Sequence, residues 1–344
     1  MRSAVTVAGL ARVKNEADLI EAFVRHHTAL LDHLVVVDNA SADGTRDILA
    51  ALAEEGLPIT VLDDATFVYR QSEIMTFLTR AAFAELGCER LFLLDADEFL
   101  IADVGSTLDR GALDAALGSL AQETHGTMPW MTYVPTAADD PEQTEPLSRI
   151  VHRRVREAVV YQKVAVSASF LRDPDAVVEQ GNHAVSGRPP AATAAALPGV
   201  ALAHFPVRSM QQLASKVLVG WNAYLAMGCG DAGFGKQWQY AYDAVMRGGG
   251  MSMQMYLALA AGYPGEPIDP SAVNVVPAPL ASPALRYTRL RVPDPIVIVA
   301  NALEQLSRQF AAAAAAHAER AKNGTVPRRT AKPCSDGSTA STAG

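Results

Sequence analysis

The first hundred residues alternate between short apolar runs and longer stretches with helical spacing. Four short apolar runs predict strands at residues 5–10, 34–37, 58–62 and 90–94, and those at 34–37 and 90–94 have the composition of buried strands. Between them, apolar residues recur every three to four positions, which predicts helices over residues 19–31, 43–55 and 74–82. This alternation with short connections predicts a mostly parallel α/β sheet that is covered by helices on both faces.

The rest of the chain has a less regular pattern. Residues 149–169 alternate charged and apolar side chains, which indicates antiparallel or mixed strands. Residues rich in Pro and Ala predict loops at 189–200 and 262–283, and helical spacing returns at 211–227, 251–261 and 295–320. From residue 323 onward the chain is rich in small polar and basic residues, so we expect a disordered tail.

Three carboxylates follow the strand predicted at 90–94: Asp95, Asp97 and Glu98. On a continuing strand the two aspartates would face opposite sides, so the chain must turn at Ala96 if both are to reach one ligand. Crowded carboxylates favour a cation, and hard oxygen ligands suit Mg²⁺ or Mn²⁺. We therefore expect Asp97 to bind a metal, Asp95 to hold a ribose or a metal-bound water, and Glu98 to support them. A solvated acidic turn remains the alternative.

Several segments together resemble one known enzyme family. They are residues 13–16 (VKNE), 38–45 (DNASADGT), 94–99 (LDADEF), 181–183 (GNH) and 204–209 (HFPVRS). Their order is similar to that in a branch of the family 2-type glycosyltransferases, over roughly residues 5–220. The resemblance implies a GT-A fold, which has a Rossmann-like sheet, and here a C-terminal helical region would be added. It also implies an inverting enzyme with a nucleotide-sugar donor linked to UDP or GDP, a divalent metal (Mn²⁺ or Mg²⁺), and a saccharide or saccharide-bearing acceptor.

On this interpretation, residues 1–105 bind the nucleotide sugar and residues 106–290 face the acceptor. A C-terminal helix (291–322) and a disordered tail (323–344) complete the chain. Candidate donor contacts are the polar side chains Asn15, Glu16, Asp38, Arg70 and Arg208, besides Asp95. Helix capping for the acids and solvated surface arginines are the competing interpretations.

Two histidines are candidates for a further metal ligand. His204 ends a short apolar run, and we rank it above His183; a buried, hydrogen-bonded core histidine is the alternative for His204. The catalytic base is not selected by the sequence. The candidates for it are the acids Asp139, Asp140, Glu142, Glu145 and Glu179. We name Asp140 as a catalytic residue together with Asp97 and Glu98 of the acidic motif.

Composition limits the alternatives. A net charge of −8 argues against nucleic acid as a partner. Three scattered cysteines form no disulfide framework, which fits a cytoplasmic protein. No apolar run approaches the roughly 20 residues of a membrane span, although the basic tail leaves a peripheral location at the inner membrane surface open. A nucleotidyltransferase and a nucleotide-sugar-binding protein without turnover are the other functions considered.

Overall fold

The computed structural model describes residues 7–322, apart from 69, 104, 106, 141, 158, 190–191, 227–235, 248–249 and 289–294. Its first part alternates strands and helices as predicted. The elements are β1 (Val7–Val13), α1 (Ile20–Thr28), β2 (His33–Asp38), α2 (Thr45–Glu54), β3 (Ile59–Asp63), α3 (Gln71–Leu86), β4 (Arg90–Leu94), β5 (Glu98–Ala102) and α4 (Arg110–Gly118).

The second part mixes short strands with helices. Its strands are β6 (His125–Thr132), β7 (His152–Arg154), β8 (Gln162–Ser167), β9 (Val177–Val178), β10 (Val185–Ser186), β11 (Ala194–Ala196), β12 (Val200–His204) and β13 (Val275–Pro277). Its helices are α5 (Pro146–Arg149), α6 (Met210–Leu225), α7 (Lys236–Arg247), α8 (Met253–Gly262) and α9 (Pro295–Lys322).

A nine-stranded sheet organises the molecule, with the order β3-β2-β1-β4-β8-β6-β12-β5 and β11 beside β6. β1 pairs in parallel with β2 and β4, and β2 pairs in parallel with β3. β8 is antiparallel to both β4 and β6, so β6 runs in the same direction as β4. β12 is parallel to β6, and β5 is antiparallel to β12. The predicted mixed α/β fold, with a mostly parallel central sheet, is confirmed.

Helices pack against both faces of the sheet, and neighbouring strand residues, which point to opposite faces, contact different helices. On β1, Leu10 belongs to a buried cluster that includes Met75 and Phe83 of α3. Ala11 belongs to the cluster on the other face, together with Phe23 of α1 and Leu49 of α2. The C-terminal helix predicted from its spacing is confirmed as α9, and its Ile298 and Ala302 pack with Val219 and Ala223 of α6.

Several details differ from the sequence prediction. The predicted loop at 189–200 contains β11, which pairs with β6, and the predicted linker at 262–283 contains β13, which pairs with β7. Backbone pairing with a neighbour stabilises both segments despite their unfavourable composition. The strands β5 and β6 and the helices α4 and α7 were not predicted. The expected disordered tail lies outside the described residues. In the part of the chain that the structure describes, no helix combines the length and hydropathy needed to cross a bilayer.

Candidate functional site

The acidic motif forms a turn between two strands. β4 ends at Leu94 and β5 begins at Glu98, and the backbone N–H of Glu98 donates to the carbonyl of Asp95 at 3.1 Å. The predicted turn at Ala96 is therefore confirmed. It directs both Asp95 and Asp97 into a cavity of about 280 Å³.

The cavity lies at the carboxyl ends of parallel strands, where open α/β sheets bind ligands. Residues that follow β1 (Lys14 to Glu16), the acidic turn after β4, and His204 at the end of β12 form one side of it. Helix α6 also lines the cavity, with Ser215 and Lys216 among its residues.

Asp97 is surrounded by potential charge partners. Its Oδ2 lies 2.6 Å from Lys216 Nζ and 3.8 Å from Arg208 Nη1, and its Oδ1 lies 3.8 Å from His204 Nε2. Burial alone would raise the pKa of Asp97, but the neighbouring cations, Lys216 above all, hold it well below its usual range. Asp97 is therefore a buried carboxylate that stays ionised.

His204 is buried and uncharged. Its ring stacks on Trp130 with centroids 4.1 Å apart, and burial lowers its pKa to about 3. Among the described residues its buried Nδ1 has no hydrogen-bond partner, and the 3.8 Å from Nε2 to Asp97 is too long for a hydrogen bond. A neutral imidazole of this kind is suited to coordinate a metal.

The pair formed by Asp97 and His204 fits a divalent ion in spacing and in chemistry. Metal–ligand bonds of ~2.1 Å on each side span a gap of this size. Within the described residues, no group of three or more His, Cys, Asp or Glu side chains surrounds a common point. An ion at this pair would therefore take its other ligands from substrate and water, as Mg²⁺ usually does.

Asp95 and Glu98 share one buried lysine. Lys163 Nζ, from β8, lies 2.6 Å from Asp95 Oδ2 and 3.3 Å from Glu98 Oε1. Glu98 also accepts hydrogen bonds from Trp130 Nε1 (2.7 Å) and from the backbone N–H of Asp95 (2.9 Å). Burial raises the pKa of Glu98, and Lys163 opposes that rise. Glu98 thus contacts the backbone of Asp95 and is absent from the cavity wall, and its supporting role stays a prediction.

Arg208 has a different environment from the one expected. Its side chain is fully buried, makes a bidentate contact with Asp18 (2.7 and 2.9 Å) and donates to Glu16 and to the carbonyl of Phe205. It is absent from the cavity wall. Because these protein acceptors occupy its guanidinium, the predicted contact with a diphosphate is replaced by a contact that holds Glu16 in place.

Only some of the residues expected to contact the nucleotide line the cavity. Asn15 and Glu16 line the cavity. Asn15 has φ 58°, and its Oδ1 accepts from the backbone N–H of Ala42 at 2.8 Å. Asp38 lies behind the wall: one carboxylate oxygen accepts from the backbone N–H of Ser41, and the other is buried without a partner among the described residues. The neighbouring Asn39 reaches the wall instead.

Besides Asp38, Glu98 and Arg208, two further predicted residues are absent from the cavity wall. Arg70 is exposed and lies 3.7 Å from Glu73, and Asp140 caps a surface turn by accepting from the backbone N–H of Glu142. His183 does line the cavity, but its Nδ1 is bonded to the carbonyl of Gln162 at 2.8 Å, and no acid of the described chain lies within ion-pair distance. The ranking of His204 over His183 as metal ligand stays a prediction, and the geometry favours it.

Sequence reasoning missed Lys163, Lys216 and Trp130. For Lys163 there was a signal, since a lysine within an apolar run (Lys163 to Val166) requires a buried partner. Lys216 and Trp130 lie in ordinary amphipathic or apolar patterns. Their roles depend on contacts with residues far away along the chain.

Neither a protein-family model nor a curated protein sequence matches this chain. Solved structures that resemble it in fold include the mannosyltransferase PcManGT from Pyrobaculum calidifontis, in complex with GDP-Man and Mn²⁺ (18% identity over 76% of this chain and 74% of that one, TM-score 0.37). Another is glucosyl-3-phosphoglycerate synthase from Mycobacterium tuberculosis, in complex with Mn²⁺, UDP and glucosyl-3-phosphoglycerate (15%, 73% and 82%, TM-score 0.33). A third is GalNAc-T7 with UDP, GalNAc and Mn²⁺ (14%, 64% and 48%, TM-score 0.35). TM-scores this low do not decide the function of the chain.

Proposed function

We propose that this chain is a metal-dependent glycosyltransferase that moves a sugar from a UDP- or GDP-linked donor to a saccharide or saccharide-bearing acceptor. The observation that carries the proposal is the pair formed by ionised Asp97 and neutral His204, 3.8 Å apart in a cavity at the carboxyl ends of parallel strands. The motifs that resemble family 2-type enzymes supply Asn15, Glu16, Asp95 and Asp97 of the same wall, and they extend the proposal to an inverting transfer.

Asp97 Oδ1 and His204 Nε2 are the atoms that would hold the metal. A carboxylate with an imidazole suits Mn²⁺ better than Mg²⁺, which prefers oxygen ligands alone. When bound, the ion supplies positive charge to the diphosphate of the donor. The chain's own residues add to it: Lys14, whose pKa burial lowers to about 8, lines the nucleotide side of the cavity.

Asp95 lines the cavity and is not needed to hold the metal, so it can contact the donor. Its side chain is 36% exposed and is oriented by Lys163 at 2.6 Å. A carboxylate held in this way accepts hydrogen bonds from sugar or ribose hydroxyls. Glu16, which is held by Arg208 and also lines the cavity, is a second candidate for such a contact.

The test is calorimetric titration of UDP and GDP in Mn²⁺ and in EDTA. We expect Mn²⁺ to tighten the binding of one of them at least tenfold, and Asp97→Asn to remove that difference. Asp63→Asn is the matched control, because Asp63 is an exposed acid (71%) paired with Arg46 outside the cavity wall. If neither nucleotide binds under either condition, or if Mn²⁺ makes no difference, the proposal fails.

Turnover is a separate measurement. A panel of UDP- and GDP-sugars incubated with the protein and Mn²⁺ should release free nucleotide, slowly with water and faster with a suitable saccharide. Nucleotide binding without release from any donor would instead identify a sugar-nucleotide-binding protein without turnover.

A further inference from the structure

Lys216 lies at the centre of the cavity wall that α6 provides. Gln212, Ser215, Lys216, Val219 and Gly220 all line the cavity, which is the spacing of a single helix face. The Lys216 side chain is 28% exposed and lines the cavity, and its ammonium group contacts Asp97.

The two oxygens of Asp97 have different surroundings. Oδ2 accepts from Lys216 Nζ at 2.6 Å, whereas Oδ1 points toward His204 Nε2 at 3.8 Å. An ammonium group has three N–H donors, and the described residues accept only this one hydrogen bond from it. Lys216 therefore fixes the carboxylate so that Oδ1 faces His204, and it retains donors for a ligand.

Charges on the cavity wall are balanced by the protein itself. Each of the three acids that line it is paired with a basic residue: Glu16 with Arg208, Asp95 with Lys163 and Asp97 with Lys216. Lys14 is also on the wall, and its hydrogen bonds to described residues go to uncharged oxygens of Asn39, Ala40 and Gln305. A wall of this kind does not repel an anion, even before a metal binds.

We propose that Lys216 is a built-in cation of the donor site, which positions Asp97 and also contacts the diphosphate of the nucleotide. Nucleoside diphosphate binding then has a component that needs no divalent metal. A lysine ammonium acts as a compact point charge toward phosphate, and its attraction is weakly screened in a buried site. This inference rests on the function proposed above, because it concerns the same diphosphate.

The experiment compares UDP and GDP binding in EDTA and in Mn²⁺ for the wild type and four variants of the full chain. Lys216→Met removes the charge, Lys216→Gln removes it but keeps a donor toward Asp97, and Lys216→Arg keeps the charge. Arg46→Met is the control, since it removes one positive charge from a residue outside the cavity wall. Circular dichroism establishes which variants are folded. If Lys216→Met does not fold, Lys216→Gln is the uncharged variant on which the comparison depends.

We expect the wild type to bind nucleotide measurably in EDTA. Lys216→Met and Lys216→Gln should weaken that binding at least tenfold, and should weaken binding in Mn²⁺ by less, because the ion then supplies charge. Lys216→Arg and Arg46→Met should stay within threefold of the wild type.

Two outcomes overturn the inference and leave the proposed function intact. One is binding by the wild type in Mn²⁺ but not in EDTA. The other is binding in EDTA that both uncharged variants retain. Failure to bind nucleotide under every condition would instead overturn the proposed function itself.

Discussion

Replacing Arg208 by methionine removes a guanidinium that joins the segment after β1 to the segment after β12. Arg208 contacts Asp18 through Nε and Nη2 at 2.7 and 2.9 Å, and Nη2 also donates to Glu16. The Arg208 side chain is 0% exposed, and those of Asp18 and Glu16 are 6% and 12% exposed. Water therefore screens this cluster little, and its charges depend on one another.

The expected loss of stability follows from those contacts. Removing one partner from a buried ion pair costs ~3–5 kcal/mol, because the remaining charge stays buried without compensation. Here two acids lose their partner. Burial already raises the pKa of Glu16 to about 7 with Arg208 present, so protonation of Glu16 relieves part of the cost in the variant. We expect Arg208→Met to lower the free energy of unfolding by ~4 kcal/mol at pH 7, a large share of the ~5–15 kcal/mol of a typical domain.

Urea unfolding followed by circular dichroism measures this loss. Arg208→Lys keeps the charge but not the planar fork that binds Asp18 in two places, so it should lose ~1–3 kcal/mol. Arg46→Met, which breaks an exposed pair with Asp63, should lose at most ~1 kcal/mol. The reasoning is refuted if the free energy of unfolding of Arg208→Met lies within 1 kcal/mol of the wild-type value while the variant binds UDP or GDP more weakly. The direct contact with the diphosphate expected from the sequence would then be correct.

Two more predictions concern an acid and a pair of histidines. Burial opposes ionisation of Glu21, but the backbone N–H groups of Arg286 and Tyr287 bind it and lower its pKa below 4.5. The stabilisation that ionised Glu21 provides is therefore present above pH ~4.5 and is lost as the pH falls through the lowered pKa. Glu21→Gln should lower the free energy of unfolding in urea by ~1–3 kcal/mol at pH 7 and by clearly less at pH 3, and an equal loss at both would contradict this. His204→Ala should weaken Mn²⁺ binding at least tenfold in titrations with UDP present, whereas His183→Ala should change it less than threefold; the reverse order would assign the ion to His183.

The fold was predictable because its first part follows local rules. The strands β1 to β4 are mainly apolar, and the helices between them carry apolar residues at helical spacing. The turn at Ala96 was predictable for a similar reason, since apolar residues stop at Leu94 and acids begin at once. Two of the segments that escaped prediction, β11 and β13, owe their structure to partners far along the chain.

The same distinction separates the acids of the site from their partners. Asp95 and Asp97 are recognisable within one short motif. Their lysines are separated from them by 68 and 119 residues, on β8 and α6. No local pattern connects an acid with a base at such distances, so the sequence indicated where negative charge collects but not what neutralises it.

The carboxylates of the acidic motif need neighbouring positive charge or hydrogen-bond donors to offset the cost of removing them from water. From the sequence, a divalent cation was the expected answer for Asp95, Asp97 and Glu98. The structure supplies ammonium groups for all three, from Lys163 and Lys216. Oδ1 of Asp97, facing an imidazole that has no hydrogen bond to a described residue, is what this arrangement leaves for a metal. We therefore expect a divalent ion to strengthen nucleotide binding without being strictly required for it. The ion would add to the positive charge that Lys216 of α6 already supplies beside the cavity.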